Sequence, residues 1–159
     1  MSHRRSTLTA PPPPAPVAAL LPSHPTPPWA TLPAHDGVPD QYALGKSGEA
    51  AAIRWYEDHG YTTVGSRVRC ASGEIDAIVR SIDGTVVFVE VKTRRGSAFG
   101  GAEAVTAKKL ATMRRCAAEW LRQDTAGVST SVRFDVVELV YTGTAFLAHR
   151  FEGVEDGAC

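Results

Sequence analysis

No proline follows Pro39: all eleven lie between Pro11 and Pro39, and their absence from the remaining 120 residues divides the chain in two. Long apolar runs are missing as well. Nothing approaches the roughly 20 consecutive apolar residues of a membrane-spanning helix. The longest apolar run behind Arg4 and Arg5, Val17-Ala18-Ala19-Leu20-Leu21, is bracketed by prolines and is too short for the apolar region of an export signal. Cysteine is scarce. Cys70, Cys116 and Cys159 are odd in number, far apart and without zinc-site spacing, so neither a disulfide framework nor a zinc site is indicated. Net charge is zero, which argues against a strongly basic nucleic-acid binder. A soluble cytoplasmic protein with no membrane contact is expected.

What is present separates into a tail and a domain. Residues 1–40 contain Pro11-Pro12-Pro13-Pro14-Ala15-Pro16 and Pro27-Pro28 and show no apolar periodicity. They are expected to form a disordered, partly polyproline-II tail. That tail reads as a passive extension, an over-extended start of translation, or a proline-motif ligand for a partner. Residues 41–159 then form one domain of ordinary size.

Within the domain, Ser47 to His59 reads as a helix capped by Ser47 and ended by Gly60, with Glu49, Ala52, Ile53 and Tyr56 on one side. Strands are expected over Tyr61–Cys70, Glu74–Arg80 and Thr85–Lys92, with turns at Ser72-Gly73 and Asp83-Gly84. A glycine-rich loop, 96–101, leads into a second helix from about Thr106 to Gln123, with Leu110, Met113, Ala117, Trp120 and Leu121 on its core side and Gly127 beyond it. Strands Val132–Tyr141 and Ala145–Phe151 complete an α-β-β-β-α-β-β order. The fold class is α/β, a mixed central sheet flanked by helices.

Charges in the strand interiors are the informative feature. Asp76 stands among Ile75, Ala77, Ile78 and Val79, and Glu90 and Lys92 end the run Val86-Val87-Phe88-Val89. A buried carboxylate without a partner is costly, so two of them with a lysine point to a bound metal ion. The hairpin register decides whether they meet. A three-residue loop with Gly84 left-handed pairs Ser81 with Thr85 and sets Asp76 opposite Glu90. A two-residue loop sends Glu90 to the other side. The three-residue loop is expected here.

Acids directly opposite on a sheet repel, and a divalent cation turns repulsion into ligation. Mg²⁺ or Mn²⁺ accepts one or two carboxylates, keeps waters and takes phosphate oxygens as further ligands. Lys92 is placed to orient an attacking water or offset charge on the phosphate. Glu49 is placed to complete the site from the first helix. Each also has a plain structural reading: Lys92 and Glu90 as a surface pair, Glu49 as an ordinary helix acid, Glu74 as a turn-proximal acid, Asp135 as the partner of Arg133. His59 sits at a helix end, where it is favoured electrostatically, and is given no catalytic role. Between Glu90 and Arg122 eight Lys/Arg face three acids. This patch reads either as a solvated face or as a track for a phosphate backbone, with Arg94, Arg95, Lys108 and Arg115 as candidate contacts.

An acid on one strand followed by Glu-x-Lys on the next resembles the restriction-endonuclease-like superfamily. Residues of about 42 to 151 resemble, more specifically, the YraN-like family of small bacterial proteins related to archaeal Holliday-junction resolvases. The matching pieces are Gly45-Lys46-Ser47-Gly48-Glu49, Gly60-Tyr61, Gly73-Glu74-Ile75-Asp76, Val87-Phe88-Val89-Glu90-Val91-Lys92-Thr93-Arg94 and Arg133-Phe134-Asp135-Val136-Val137. Ile75 stands where the superfamily often has proline. The resemblance implies a restriction-endonuclease-like αβββαβ core and a metal-dependent nuclease site at Asp76, Glu90 and Lys92, with Glu49 as the helix acid. It also implies a DNA substrate, branched DNA included, and resolving a symmetric junction would need two sites and hence a homodimer. The rival expectations are a non-catalytic nucleic-acid-binding module that recruits partners, and a nuclease-like scaffold that binds no nucleic acid.

Overall fold

A computed structural model describes residues 29–34, 40–96, 105–124 and 131–154. The elements are β1 (Trp29–Pro33), α1 (Gln41–Asp58), β2 (Thr62–Cys70), β3 (Gly73–Arg80), β4 (Val86–Arg95), α2 (Ala107–Gln123), β5 (Val132–Tyr141) and β6 (Ala145–Phe151). They form one six-stranded sheet in the order β1-β6-β5-β4-β3-β2. Only β4 and β5 run parallel; every other pair is antiparallel. The α/β class and the mixed sheet flanked by helices are therefore as expected. Among the described residues no helix is long and apolar enough to cross a membrane.

Hydrophobic alternation explains the layers. Ala77 and Val79 of β3, Val87 and Val89 of β4 and Leu139 of β5 pack under α1 through Ala52 and Tyr56. Ile78, Val86 and Phe88 face the other way, onto Cys116 and Ala117 of α2. Leu110 of α2 and Val136 of β5 close a smaller cluster with Val105 and Val154. Both sides of β4 are covered over its first half. Its second half, from Val91 on, is only partly buried. The candidate acids lie where this strand leaves the core.

Three expectations are corrected. Residues 29–33 are not part of a disordered tail: they form β1, from Trp29↔His149 to Pro33↔Ala145. An edge strand tolerates a terminal proline, and Leu32 is buried between exposed Thr31 and Pro33. The rest of the expected tail, 1–28 and 35–39, lies outside the described residues, as do Gly127 and most of the loop 96–101. The first helix begins at Gln41, not Ser47. Asp40 caps it by accepting a hydrogen bond from the Ala43 N–H at 2.8 Å, and Leu44 extends its buried side beyond Gly48 by about a turn. Finally, Cys70 at the end of β2 and Cys116 of α2 are joined in a disulfide across 46 residues, with Cα atoms 5.5 Å apart.

The close approach of α1 to the sheet depends on Gly48. A Cβ there would overlap Thr93 Oγ1 and press on Leu139 Cδ1 at 3.1 Å. Leu139 is fully buried and has no room to yield. Gly48→Ala should therefore destabilise the protein by about 1–3 kcal/mol in spite of alanine's higher helix propensity. Thermal denaturation checks this, and an unchanged or raised Tm would refute it.

Candidate active site

The β3–β4 hairpin has the three-residue loop. Ser81 and Thr85 close it, with Ser81 N–H to Thr85 O at 3.0 Å, and Gly84 adopts φ +88°. Asp83 Oδ1 accepts from the Thr85 N–H at 2.9 Å and from the Ser81 hydroxyl, which holds the loop shut. Pairing then runs Arg80↔Val86, Val79↔Val87, Ile78↔Phe88 and Ala77↔Val89. Carried one step further, the same register would set Asp76 opposite Glu90, whose charge does reach Asp76.

At that step the regular ladder stops. The Val91 N–H donates to Asp76 Oδ2 at 2.7 Å, so a carboxylate takes a donor that would otherwise meet a backbone carbonyl. Strict alternation is broken here too. Ile75 and Ile78, three apart, share the cluster under α2, while Ala77 belongs to the one under α1. Across from Asp76 on β2, between the pairs Ser66↔Ala77 and Val68↔Ile75, lies Arg67. It is the single non-glycine residue with positive φ, +49°, among the described residues. Left-handed backbone costs such a residue about 1–2 kcal/mol. β2 and β3 are thus both irregular at this point. Glu74 pairs with Arg67 at 3.3 Å, the arginine that also reaches Glu49, and with Arg69 at 3.2 Å.

Glu90 is 2% exposed and is held between two ammonium groups. Lys92 Nζ lies 2.8 Å from Oε1, and Lys109 Nζ, from the first turn of α2, lies 2.8 Å from Oε2. Glu49 reaches the site from α1, half-buried, with Arg67 3.5 Å from its Oε2. Burial raises the Glu49 pKa above the usual carboxylate value, and Arg67 offsets part of that rise. Asp76 is displaced further, to about 7, first by burial and then by the charge of Glu90; the Val91 N–H and Lys109 act against the shift. One site thus collects four elements: α1 brings Glu49, β3 Asp76, β4 Glu90 and Lys92, and α2 Lys109.

Lys109 and Arg67 did not stand out in the sequence. The candidate phosphate contacts on α2 are Lys108 and Arg115. Lys109, however, shares the buried side with Met113 and Cys116 at spacings of four and seven, and a lysine on an apolar stripe was the available signal. Arg67 carried none, because nothing in composition marks a left-handed strand residue.

The candidate phosphate contacts are scattered. Arg94 is ion-paired with buried Glu138, and Arg95 lies over the Tyr141 ring, 5.6 Å from its centroid. Both sit on β4, which runs past Lys92 because β5 pairs with it as far as Arg95↔Tyr141. Lys108 is exposed, and Arg115 bonds Ser72 Oγ at 3.3 Å. Asp135 has the structural role: it is buried against Arg133, with bonds of 2.9 Å to Nε and 2.9 Å to a terminal nitrogen. The His59 ring caps α1 through the Trp55 carbonyl at 2.7 Å.

The donor set decides which ion could fit. Asp76 and Glu90 offer hard oxygen ligands, suited to Mg²⁺ or Mn²⁺ rather than to a thiolate-seeking metal. Among the described residues no group of three acids, histidines or cysteines stands close enough to hold a metal by itself. Two carboxylates completed by water and phosphate oxygens are the arrangement these residues allow.

Known proteins resemble this sequence. The profile of "Uncharacterised protein family UPF0102" matches residues 48–139, which carry Glu49, Asp76, Glu90 and Lys92. A UPF0102 protein of Corynebacterium efficiens is 46% identical over 121 residues, covering 75% of this chain and 97% of the relative. One from Corynebacterium glutamicum is 48% identical over 118 residues, 72% and 93% of the two chains. Another from Beutenbergia cavernae is 48% identical over 110 residues, 67% and 92%. With the family profile matching more than half of its length and the matches spanning nearly the whole of these relatives, the chain belongs to UPF0102, the YraN-like family.

Proposed function

We propose that the protein is a Mg²⁺- or Mn²⁺-dependent endonuclease that hydrolyses phosphodiester bonds in DNA, branched DNA included. The observation that carries this reading is the meeting of Asp76 and Glu90 at the point where β3 and β4 part, with Lys92 on the outer oxygen of Glu90. Asp76 and Glu90 would hold the ion. When bound, it would polarise the phosphodiester and acidify a water. Lys92, 43% exposed at its side chain, orients that water or meets the charge growing on the phosphate. Glu49 stands behind them as an auxiliary acid. Arg95 and Lys108, both exposed, follow the strand backbone outside the site.

The ion pairs around Glu90 also suit the rival, a binding module that no longer cuts, since lysines alone can neutralise a buried acid. Titration of Mn²⁺ into the full chain separates the two, run beside Glu90→Gln and followed by a cleavage screen over junction, flap and single-stranded DNA. The nuclease reading expects binding and cleavage in the wild type and neither in Glu90→Gln. Salt-sensitive DNA binding without turnover in any divalent ion would establish the module instead.

A further inference from the structure

Lys109 is the residue whose position the nuclease reading leaves unused. Its ammonium touches Glu90 Oε2 at 2.8 Å, on the oxygen opposite the one that Lys92 holds. The two lysines are not equivalent. Lys92 is a neighbour on the same strand, two residues along, and its side chain is 43% exposed. Lys109 enters from α2, is 31% exposed, and extends from a turn fixed by the Thr106 cap, whose hydroxyl accepts from the Lys109 N–H at 3.2 Å. Lys109 is also the cation whose field reaches Asp76, opposing the effect of Glu90 there. A positive charge that serves both acids does the work of a shared divalent ion.

We propose that Lys109 is a resident counter-cation of the Asp76–Glu90 pair, which an incoming divalent ion displaces and which then contacts a phosphate oxygen of the substrate. This rests on the metal-dependent reading above. Ion and ammonium cannot both occupy the inner oxygen of Glu90, so metal binding breaks this pair. The freed lysine stays within a side chain's reach of the site, where phosphate is the anion left to meet it. The helix that carries it starts beside Glu90, so no rearrangement of the sheet is needed.

The test is calorimetric titration of MnCl₂ into the full chain without DNA, comparing wild type, Lys109→Met, Lys109→Gln and Lys109→Arg. Met keeps the stem on the apolar side of α2, Gln keeps a polar end, and Arg keeps the cation. Met and Gln should each tighten Mn²⁺ binding by about tenfold, the effect of removing one charge that competes for a buried carboxylate, while Arg stays near wild type. In Ca²⁺, Lys109→Met should bind a fluorescent four-way junction more weakly, with a salt slope reduced by about one. Unchanged or weaker Mn²⁺ binding in both neutral variants would overturn the proposal and leave the metal site standing. Absence of Mn²⁺ binding in every variant would remove the metal reading and the displacement with it.

Discussion

Asp76→Asn is expected to abolish metal-dependent cleavage and at the same time to stabilise the metal-free fold at pH 8. Both effects have one source. Asp76 is pushed to about 7 by burial and then by Glu90, against an unfolded value of about 3.9. The folded protein therefore holds this proton more tightly than the unfolded chain does. Raising the pH from about 4 to 7 takes the proton away, and stability falls over that window and levels off above it. The amide of the variant never ionises, and its side-chain oxygen can still accept the Val91 N–H. The gain should be nil near pH 4, grow through pH 7 and reach about 1–3 kcal/mol, since one pKa unit is about 1.4 kcal/mol and part of the strain belongs to Glu90. Tm measured from pH 4 to 8 without divalent ions checks this. A constant difference across that range would refute it, as would a wild type that is the more stable at pH 8.

Removal of Asp135 should have the largest effect on folding. Its carboxylate accepts from the Tyr56 hydroxyl at 2.8 Å, Arg133 at 2.9 Å, Arg150 at 3.4 Å and the Gly153 N–H at 3.1 Å. It is fully buried, and Arg150 is 6% exposed. Burial works against the Arg133 charge, but Asp135 more than restores it. The Tyr56 hydroxyl is pushed well above its usual range by burial and then by Asp135, so it remains a donor. Asp135→Ala would take the buried acceptor away from Tyr56, Gly153, Arg133 and Arg150 at once, leaving the charges of the two arginines to be met by the more exposed Glu152, and should cost about 3–5 kcal/mol, much of the 5–15 kcal/mol that holds a small domain together. Tyr56→Phe removes one donor of several and should cost about 1 kcal/mol. Urea denaturation of both, with Asp135→Asn as the folded intermediate case, measures the series. If Asp135→Asn stays folded and loses Mn²⁺ binding, the residue belongs to the metal site rather than to the scaffold.

How much of this was legible depended on the range of the signal. Local patterns were read correctly: the β5 and β6 bounds, the loop at Gly84, and through it the meeting of Asp76 and Glu90. That register followed because side chains alternate with a period of two and one turn residue fixes the phase. Signals that cross the fold were not legible. Cys70 and Cys116 pair over 46 residues, and β1 pairs with a strand more than a hundred residues later. Proline content hid β1, although an edge strand needs few of its own donors. The cap is Asp40 rather than Ser47 because the apolar stripe of α1 starts at Leu44, a turn before the periodic run that the sequence shows clearly. Lys109 was overlooked beside Lys108, since charge counts ignore the direction in which each side chain leaves the helix. Arg94, a candidate phosphate contact by sequence, is ion-paired with Glu138, which sits beside Lys92 on the neighbouring strand.

The short first strand has a consequence for association between molecules. Residues 29–33 cover the outer edge of β6, where Leu147 is 37% exposed. A chain cut at residue 41, where composition alone would place the domain start, would lay that edge bare. Rows of unpaired N–H and C=O groups on an exposed strand recruit the same strand from a second chain. The five residues ending in Pro33 act as a stopper: they fill the edge of β6 and, through a ring that has no N–H to give, offer little for another strand to join. Size-exclusion chromatography should find the shortened chain in larger assemblies than the full one, with the proline-poor part of the protein shielded by its proline-rich end.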